Sequence, residues 1–372
     1  MNIFEPHVKN NELHVDEFSW NVIKLNYDQK TIIQYISDAI VEFNIKLPYK
    51  EISLAEAIED FEKLKEFDSQ SLICDGEWGT KFDYKYNFLD KYIGMSNVGL
   101  DASNYFHQKE RWKCDATGYP SPQKTWETER FRLTLFKALF SLNVKEINPQ
   151  VLRNIISLRK YIAAQFRPSA AKAIYEYFGA EKVLDFSSGW GDRFAGAYAS
   201  DTVKTYLGFD PNHHLQMGYY QQHQIYGTMA KLTNRILPVE AEDKNVHVAT
   251  EVDLVFTSPP YFDKEKYSND KRQSFIKHKG FDNWMENFLF KAIELRTEKL
   301  KVGGHLVINI SDIYTRKKLY KICDGMNDFI ASMKNFEYIG AMGLRMPKRP
   351  MSKSSKNAGI YGEPIWIWKK IK

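Results

Sequence analysis

The sequence predicts an α/β fold, with a mostly parallel seven-stranded sheet and its helices over residues 151–372, behind a mainly helical accessory domain over residues 1–150. Two observations lead there. After residue 181, short apolar runs alternate with amphipathic stretches, the pattern of strands separated by crossover helices. Before it, apolar residues recur at helical spacing, and no fixed-period repeat or low-complexity tract suggests a solenoid, propeller or coiled coil.

In chain order, Ile32, Ile33, Tyr35, Ile36, Ile40 and Phe43 share one helical face, Pro48 breaks the pattern, and Leu54, Ala57, Ile58, Phe61 and Leu64 resume it. Residues 73–126 are rich in glycine, aromatics and turn formers and read as irregular or short-stranded. Helical spacing returns over 127–142 and 149–178. The expected strands follow at Lys182–Phe186, Thr205–Phe209, Arg235–Val239, Leu254–Thr257, His305–Ile310, Phe336–Gly343 and Ile365–Lys369. Only a loop rich in Lys, Ser and Gly joins the last two, so they should pair antiparallel.

With 372 residues, 43% apolar and 15% aromatic, the chain can bury a sizeable core. Its charge is uneven: residues 1–70 carry net −7 and residues 151–372 net +11, so the basic surplus lies in the C-terminal part. Cys74, Cys114 and Cys323 are too few and too dispersed for a disulfide framework or a CxxC metal site, and no metal is expected. The N-terminus lacks a leader-like apolar stretch, and nothing approaches the roughly 20 apolar residues of a membrane span. A cytoplasmic protein without membrane contact is expected.

Two segments carry chemistry. In Val183-Leu-Asp-Phe-Ser-Ser-Gly-Trp-Gly-Asp-Arg-Phe-Ala-Gly-Ala197 a strand runs through a glycine turn into a small-residue helix, where Gly189 and Gly191 allow close backbone approach to a ligand. Asp185 at the strand end could hold a cationic amine. Asp210, ending the next strand, suits the paired hydroxyls of a ribose. The second segment, Asp253-Leu-Val-Phe-Thr-Ser-Pro-Pro-Tyr-Phe262, ends a buried strand at two prolines, which fix the carbonyls and hydroxyl of the strand end beside an aromatic face. That combination suits a planar substrate bearing an exocyclic amine.

Thr257-Ser-Pro-Pro-Tyr261 resembles the catalytic motif of S-adenosylmethionine-dependent DNA amino-methyltransferases. Asp185-Phe-Ser-Ser-Gly-Trp-Gly191 resembles their methionine-binding motif, and Gln165-Phe-Arg-Pro-Ser169, placed on a helix, resembles the segment that closes over the cofactor. The resemblance implies a Rossmann-like class I methyltransferase domain over 151–372 that uses S-adenosylmethionine. It implies catalytic roles for Ser258, Pro259, Pro260 and Tyr261: Ser258 and the Pro259 carbonyl hold the amine while Tyr261 stacks on an extruded base. It places Phe166, Arg167, Pro168, Asp185, Ser187, Gly189, Gly191, Asp210, Glu242 and Thr257 around the cofactor. A leading Ser in the tetrapeptide is closer to the N4-cytosine members, with N6-adenine in DNA, or an RNA base, as the alternative. Cytosine-C5 chemistry needs a thiol after a proline, and none of the cysteines follows one.

The resemblance implies DNA as partner, single- or double-stranded, and a restriction-modification setting with a cognate nuclease; the bias toward Lys, Asn, Ile and Tyr points to an AT-rich bacterial or viral genome. Two basic stretches should meet phosphates: Lys264, Lys266, Lys271 and Arg272 after the catalytic motif, and Lys348 and Arg349 in the tail. Lysines among the aromatics of 73–126 make the accessory domain a candidate target reader, though an inert packing unit explains them equally well. His213, His214 and His223 read as surface histidines rather than a metal cluster. Two rival readings remain: a non-catalytic cofactor- or DNA-binding subunit, and a nicotinamide-dependent oxidoreductase, which leaves the Ser-Pro-Pro-Tyr strand end without a role.

Overall fold

A computed structural model describes residues 2–347 and 359–372; Lys348 and Arg349 lie outside the described residues. The chain folds into two compact units that are interleaved in sequence. Met1–Glu51 and Gln108–Ala164 form one, and Ile52–His107 and Gln165–Lys372 form the other. The linear division at residue 150 therefore differs from the observed one, because residues 52–107 pack with the sheet-bearing unit.

The first unit is helical, with Glu17–Asn26, Gln29–Glu42, Glu129–Ser141 and Pro149–Arg159 as its longer helices. Asp16 and Asp28 accept bonds from first-turn backbone N–H groups and start the first two. Their apolar faces, including Trp20, Ile32, Ile36, Phe136, Leu139 and Ile156, bury one another.

The second unit is built on one large sheet. Its strands are β1 (Ile73–Asp75), β2 (Trp78–Gly79), β3 (Phe88–Ile93), β4 (Lys182–Asp185), β5 (Thr205–Phe209), β6 (Thr233–Leu237), β7 (Val252–Thr257), β8 (Leu300–Asn309), β9 (Phe336–Arg345) and β10 (Ile360–Lys370). All seven expected runs are strands, but among the described residues the sheet has ten, in the order β1-β3-β9-β10-β8-β7-β4-β5-β6 with β2 beside β10. Neighbours from β8 through β6 are parallel, so the carboxyl ends of β4, β5, β7 and β8 share one edge. As expected, β9 and β10 are antiparallel.

The additional strands come from 73–93, within the stretch expected to be irregular or short-stranded. Here β3 runs parallel to β9, and β1 closes that side antiparallel to β3. Trp78 locks this segment in place. Its ring stacks on Phe88 with centroids 4.3 Å apart, its indole N–H donates to the Leu89 carbonyl at 2.9 Å, and it lies over Gly343 and Gly362. A Cβ on Gly343 would come within 2.4 Å of that ring, so only a bare backbone admits the indole.

Helices in 52–107 are tied in as well. Phe61, on Leu54–Glu66, stacks on Tyr226 at 3.8 Å. The buried Lys172 ammonium donates to the Leu64, Lys65 and Phe67 carbonyls at 3.1, 2.7 and 3.0 Å, satisfying that helix's C-terminal end. Residues 165–167 are extended rather than helical, because the helix Pro168–Tyr177 begins at Pro168, a residue suited to the first helical position. Among the described residues no helix is long and apolar enough to cross a membrane.

Candidate active site

The carboxyl ends of β4, β5, β7 and β8 bring the sequence motifs together. After β4 the chain turns through Gly189 (φ +61°) and Gly191 (φ +71°) into the fully buried helix Asp192–Ala199. A Cβ on Gly191 would lie 2.5 Å from Gln222 Oε1 and 2.6 Å from His107 Nε2. The turn is held from several sides. Gln222 donates to the Gly191 carbonyl at 2.9 Å, and the Tyr219 hydroxyl donates to the Gly189 carbonyl. Asp192 accepts from Gln165 at 2.7 Å and from Ser103.

Asp210 ends β5 on the far side of this turn. Its Oδ2 accepts the Gly189 N–H at 2.8 Å and the Tyr219 hydroxyl at 3.3 Å, and its Oδ1 accepts the Asn212 N–H at 2.9 Å. Burial pushes its pKa up to about 6, against the downward pull of the two backbone N–H groups. The residue thus couples the glycine turn to the neighbouring strand end, where a ribose diol could engage it.

Asp185 is placed differently from the expected open acid. It is fully buried and accepts from Arg193 Nε at 2.7 Å, the Tyr206 hydroxyl at 2.7 Å, the Thr257 hydroxyl at 2.9 Å and the Ser187 N–H at 3.1 Å. The cation it holds belongs to the chain. Thr257 is likewise buried, with its hydroxyl spent on Asp185 rather than turned to a ligand. Arg193 also donates to the Ser187 carbonyl and sits over the Phe166 ring at 5.7 Å.

Arg167, beside Phe166 and Pro168, is partly exposed, and burial lowers its pKa. Its side chain reaches Met95 Sδ at 3.8 Å. Arg's planar guanidinium is suited to a carboxylate partner. Asp210 beside the glycine turn thus fits the nucleoside part of a nucleoside-linked amino acid, and Asp185 is not offered for its amine. Glu242 is buried and paired with Lys277 at 2.9 Å and His278 at 2.8 Å.

At the end of β7, Ser258 and Pro260 are half-buried and Pro259 is buried. Ser258 Oγ donates to Asn309 Oδ1 at 3.3 Å, and Asn309 Nδ2 donates to the Pro364 carbonyl at 3.2 Å. The Ser258 hydroxyl also lies within hydrogen-bond reach of the Tyr261 phenol, and its oxygen keeps lone pairs for an incoming N–H. The Tyr261 hydroxyl donates to Glu363, whose carboxyl also bonds Asn309. Burial raises the Glu363 pKa against the nearby Lys264 ammonium, and burial together with Glu363 keeps the Tyr261 phenol protonated. Lys264 lies over the Tyr261 ring at 4.9 Å, a cation–π contact.

Of the expected phosphate-binding residues, Lys266 and Lys271 are exposed. Arg272 is not free for that role: it pairs with Asp270 at 2.7 Å and donates to the Pro238 carbonyl at 2.9 Å, pinning the loop. His213 contacts Asp270 at 3.1 Å and His223 contacts Tyr198 at 2.6 Å, on separate partners.

Sequence reasoning missed Arg193, Asn309, Glu363 and His107. An arginine inside an otherwise small, apolar helix, and a glutamate in the apolar run of β10, are misplaced for solvent and could have been found on that ground. Asn309 and His107 gave no local signal.

Residues 252–372, from β7 through the Ser258–Tyr261 tetrapeptide to β10, match a family model described as DNA methylase. No curated protein matches the chain. Among solved structures, an rRNA methylase from Streptococcus thermophilus is 15% identical, covering 56% of this chain and 100% of its own at a TM-score of 0.33. An S-adenosylmethionine-dependent methyltransferase from Clostridium acetobutylicum is 11% identical, covering 60% and 97% at a TM-score of 0.36.

Proposed function

We propose that this chain, whose residues 252–372 match the DNA methylase family, is an S-adenosylmethionine-dependent methyltransferase acting on an exocyclic amine of a DNA base, N4 of cytosine. The observation that carries the reading is the Ser258–Asn309 hydrogen bond at a proline-terminated strand end, beside a glycine turn tied to Asp210. When bound, S-adenosylmethionine supplies an electrophilic methyl group on sulfur.

The chain's own work is binding and orientation. Asp210 would accept the ribose hydroxyls, Gly189, Gly191 and Ser187 would let the backbone approach, and Arg167 with Phe166 and Pro168 would hold the amino-acid end. Ser258 and the Pro259 carbonyl would accept the two N–H bonds of the target amine, turning its lone pair away from the strand end. Pro260 fixes that backbone, and Tyr261 offers its face to a base withdrawn from the stack. Withdrawal from a duplex costs a few kcal/mol, which a single strand largely avoids.

The test is to incubate the full chain with methyl-labelled S-adenosylmethionine and with single-stranded DNA, double-stranded DNA and RNA, then identify the labelled nucleoside. Label in N4-methyldeoxycytidine supports the reading. Label in N6-methyldeoxyadenosine corrects the base, and label in RNA alone, or in nothing, overturns it.

A further inference from the structure

The loop that leaves Tyr261 and a hairpin that follows β8 line an open cleft of about 390 Å³. The hairpin pairs Ile313–Thr315 with Lys318–Tyr320. Because β7 and β8 are adjacent and parallel, both segments start from the same sheet edge.

The wall of the cavity is aromatic. Phe262, Phe281 and Tyr320 form a closed triangle, with centroids 5.6 Å apart for Phe262–Phe281, 5.3 Å for Phe262–Tyr320 and 5.2 Å for Phe281–Tyr320. The rim is cationic, formed by the exposed side chains of Lys266, Lys279, Arg316 and Lys318. Asp263 offsets part of this charge through its 3.4 Å ion pair with Arg316.

Backbone conformation supplies an independent observation. Arg316 and Lys317 occupy the hairpin turn at φ +49° and +60°, and Phe262 sits at φ +50°. A two-residue turn of this kind is normally made by Asn-Gly or Asp-Gly, which enter the left-handed region with little strain. Here it is made by two long cations. Two of these residues, Phe262 and Arg316, line the cavity, and backbone strain of this kind recurs at ligand sites.

We propose that this cavity binds a nucleotide of single-stranded nucleic acid that flanks the base presented to Ser258 and Tyr261. Its base lies against Phe262, Phe281 and Tyr320, and its phosphates meet Lys266, Lys279, Arg316 and Lys318. Aromatic faces take any base and cations take the backbone, so the site grips without reading sequence. The proposal deepens the methyltransferase reading and rests on it only for the identity of the neighbouring base.

The experiment measures binding of a fluorescein-labelled, mixed-sequence single-stranded DNA to the full chain by anisotropy from 50 to 300 mM salt. Arg316→Ala/Lys318→Ala should weaken binding about tenfold at 100 mM salt and reduce the slope of log K against log salt by about 1.4, roughly 0.7 for each phosphate no longer neutralised. Tyr320→Leu should weaken binding without changing the slope. Thermal melting and S-adenosylmethionine titration of each variant should match the parent, which distinguishes a weakened grip from a damaged fold. Unchanged affinity and slope in the double variant overturn the proposal. So does an equal loss of polyglutamate binding with no effect of Tyr320→Leu, which would identify a general cationic patch. Binding needs no methyl transfer, so a parent that grips the strand through these residues yet labels no nucleoside upholds the cavity and overturns the methyltransferase reading.

Discussion

Arg193 Nε lies 2.7 Å from Asp185 Oδ2, both side chains are buried, and the pair closes the end of β4 where the glycine turn begins. Neither charge has water to retreat to. Asp185→Asn should therefore destabilise the fold by about 3–5 kcal/mol, since it leaves a buried guanidinium without its counter-charge. Asp185→Asn/Arg193→Met should recover a substantial part. Denaturant unfolding checks both, and a single variant within about 1 kcal/mol of the parent would contradict the argument.

If Asp210 accepts the ribose hydroxyls as proposed, cofactor affinity should depend on pH in a defined direction. With its carboxyl titrating at about 6, acidification through that value replaces an acceptor of two ribose hydroxyls with a neutral acid. S-adenosylmethionine should bind more weakly as pH falls from 7 to 5 and level off above 7, with proton release on binding in the lower range. Asp210→Asn should bind weakly with no such slope. Calorimetric titration at several pH values decides it, and a parent dissociation constant that holds steady across the range would sink the assignment.

His107 and Asp210 have opposite linkage. Burial pushes the His107 pKa down to about 4, so the unfolded chain takes up that proton first and stability falls with acid between about 6.5 and 4. Burial pushes Asp210 up to about 6, so in the folded state it protonates first and stability rises with acid between about 6 and 4. Their contributions nearly cancel. His107→Gln should unmask Asp210: its melting temperature relative to the parent should climb steadily as pH drops through this window. A difference that stays flat would contradict the pairing.

Asn309 accepts the Ser258 hydroxyl at 3.3 Å, and under the proposed function it acts through Ser258 as a positioning residue. Asn309→Ala should lower the rate constant of methyl transfer about 10–100-fold while leaving S-adenosylmethionine affinity intact, a misorientation effect. Asn309→Asp, which keeps the acceptor, should restore part of the rate. Single-turnover labelling alongside cofactor titration tests the split. Equal losses in both measurements would mean a structural role only.

The sheet that bears the site was legible because its strands are buried on both faces. Thr205–Phe209 and Leu254–Thr257 read as uninterrupted apolar runs, and the helices between them leave room only for parallel pairing. The strand-end motifs were legible for the same reason, since Ser258 and Asp210 sit where such runs stop. Strands β1 to β3 were legible only as a short-stranded texture without positions or partners, because Ile73–Asp75 and Trp78–Gly79 are too short for a periodic signal and β3 pairs with β9 about 250 residues away. The fate of Asp185 was hidden by its own spacing from Arg193, eight residues later across the turn: an acid at a strand end reads as available until the helix beyond it is seen to bring its own cation.

The pairing of β3 with β9 also sets a timetable. During synthesis Ile93 leaves the ribosome long before Phe336 is joined to the chain, and at roughly 5–20 residues per second the interval is on the order of 10–50 seconds. Throughout it, the Trp78 ring has no glycines to lie over and β3 has no neighbour on its β9 side. A nascent chain of this protein therefore exposes an unfinished sheet edge for a span in which chaperones can compete for it, and the last strands made are the ones that end the wait.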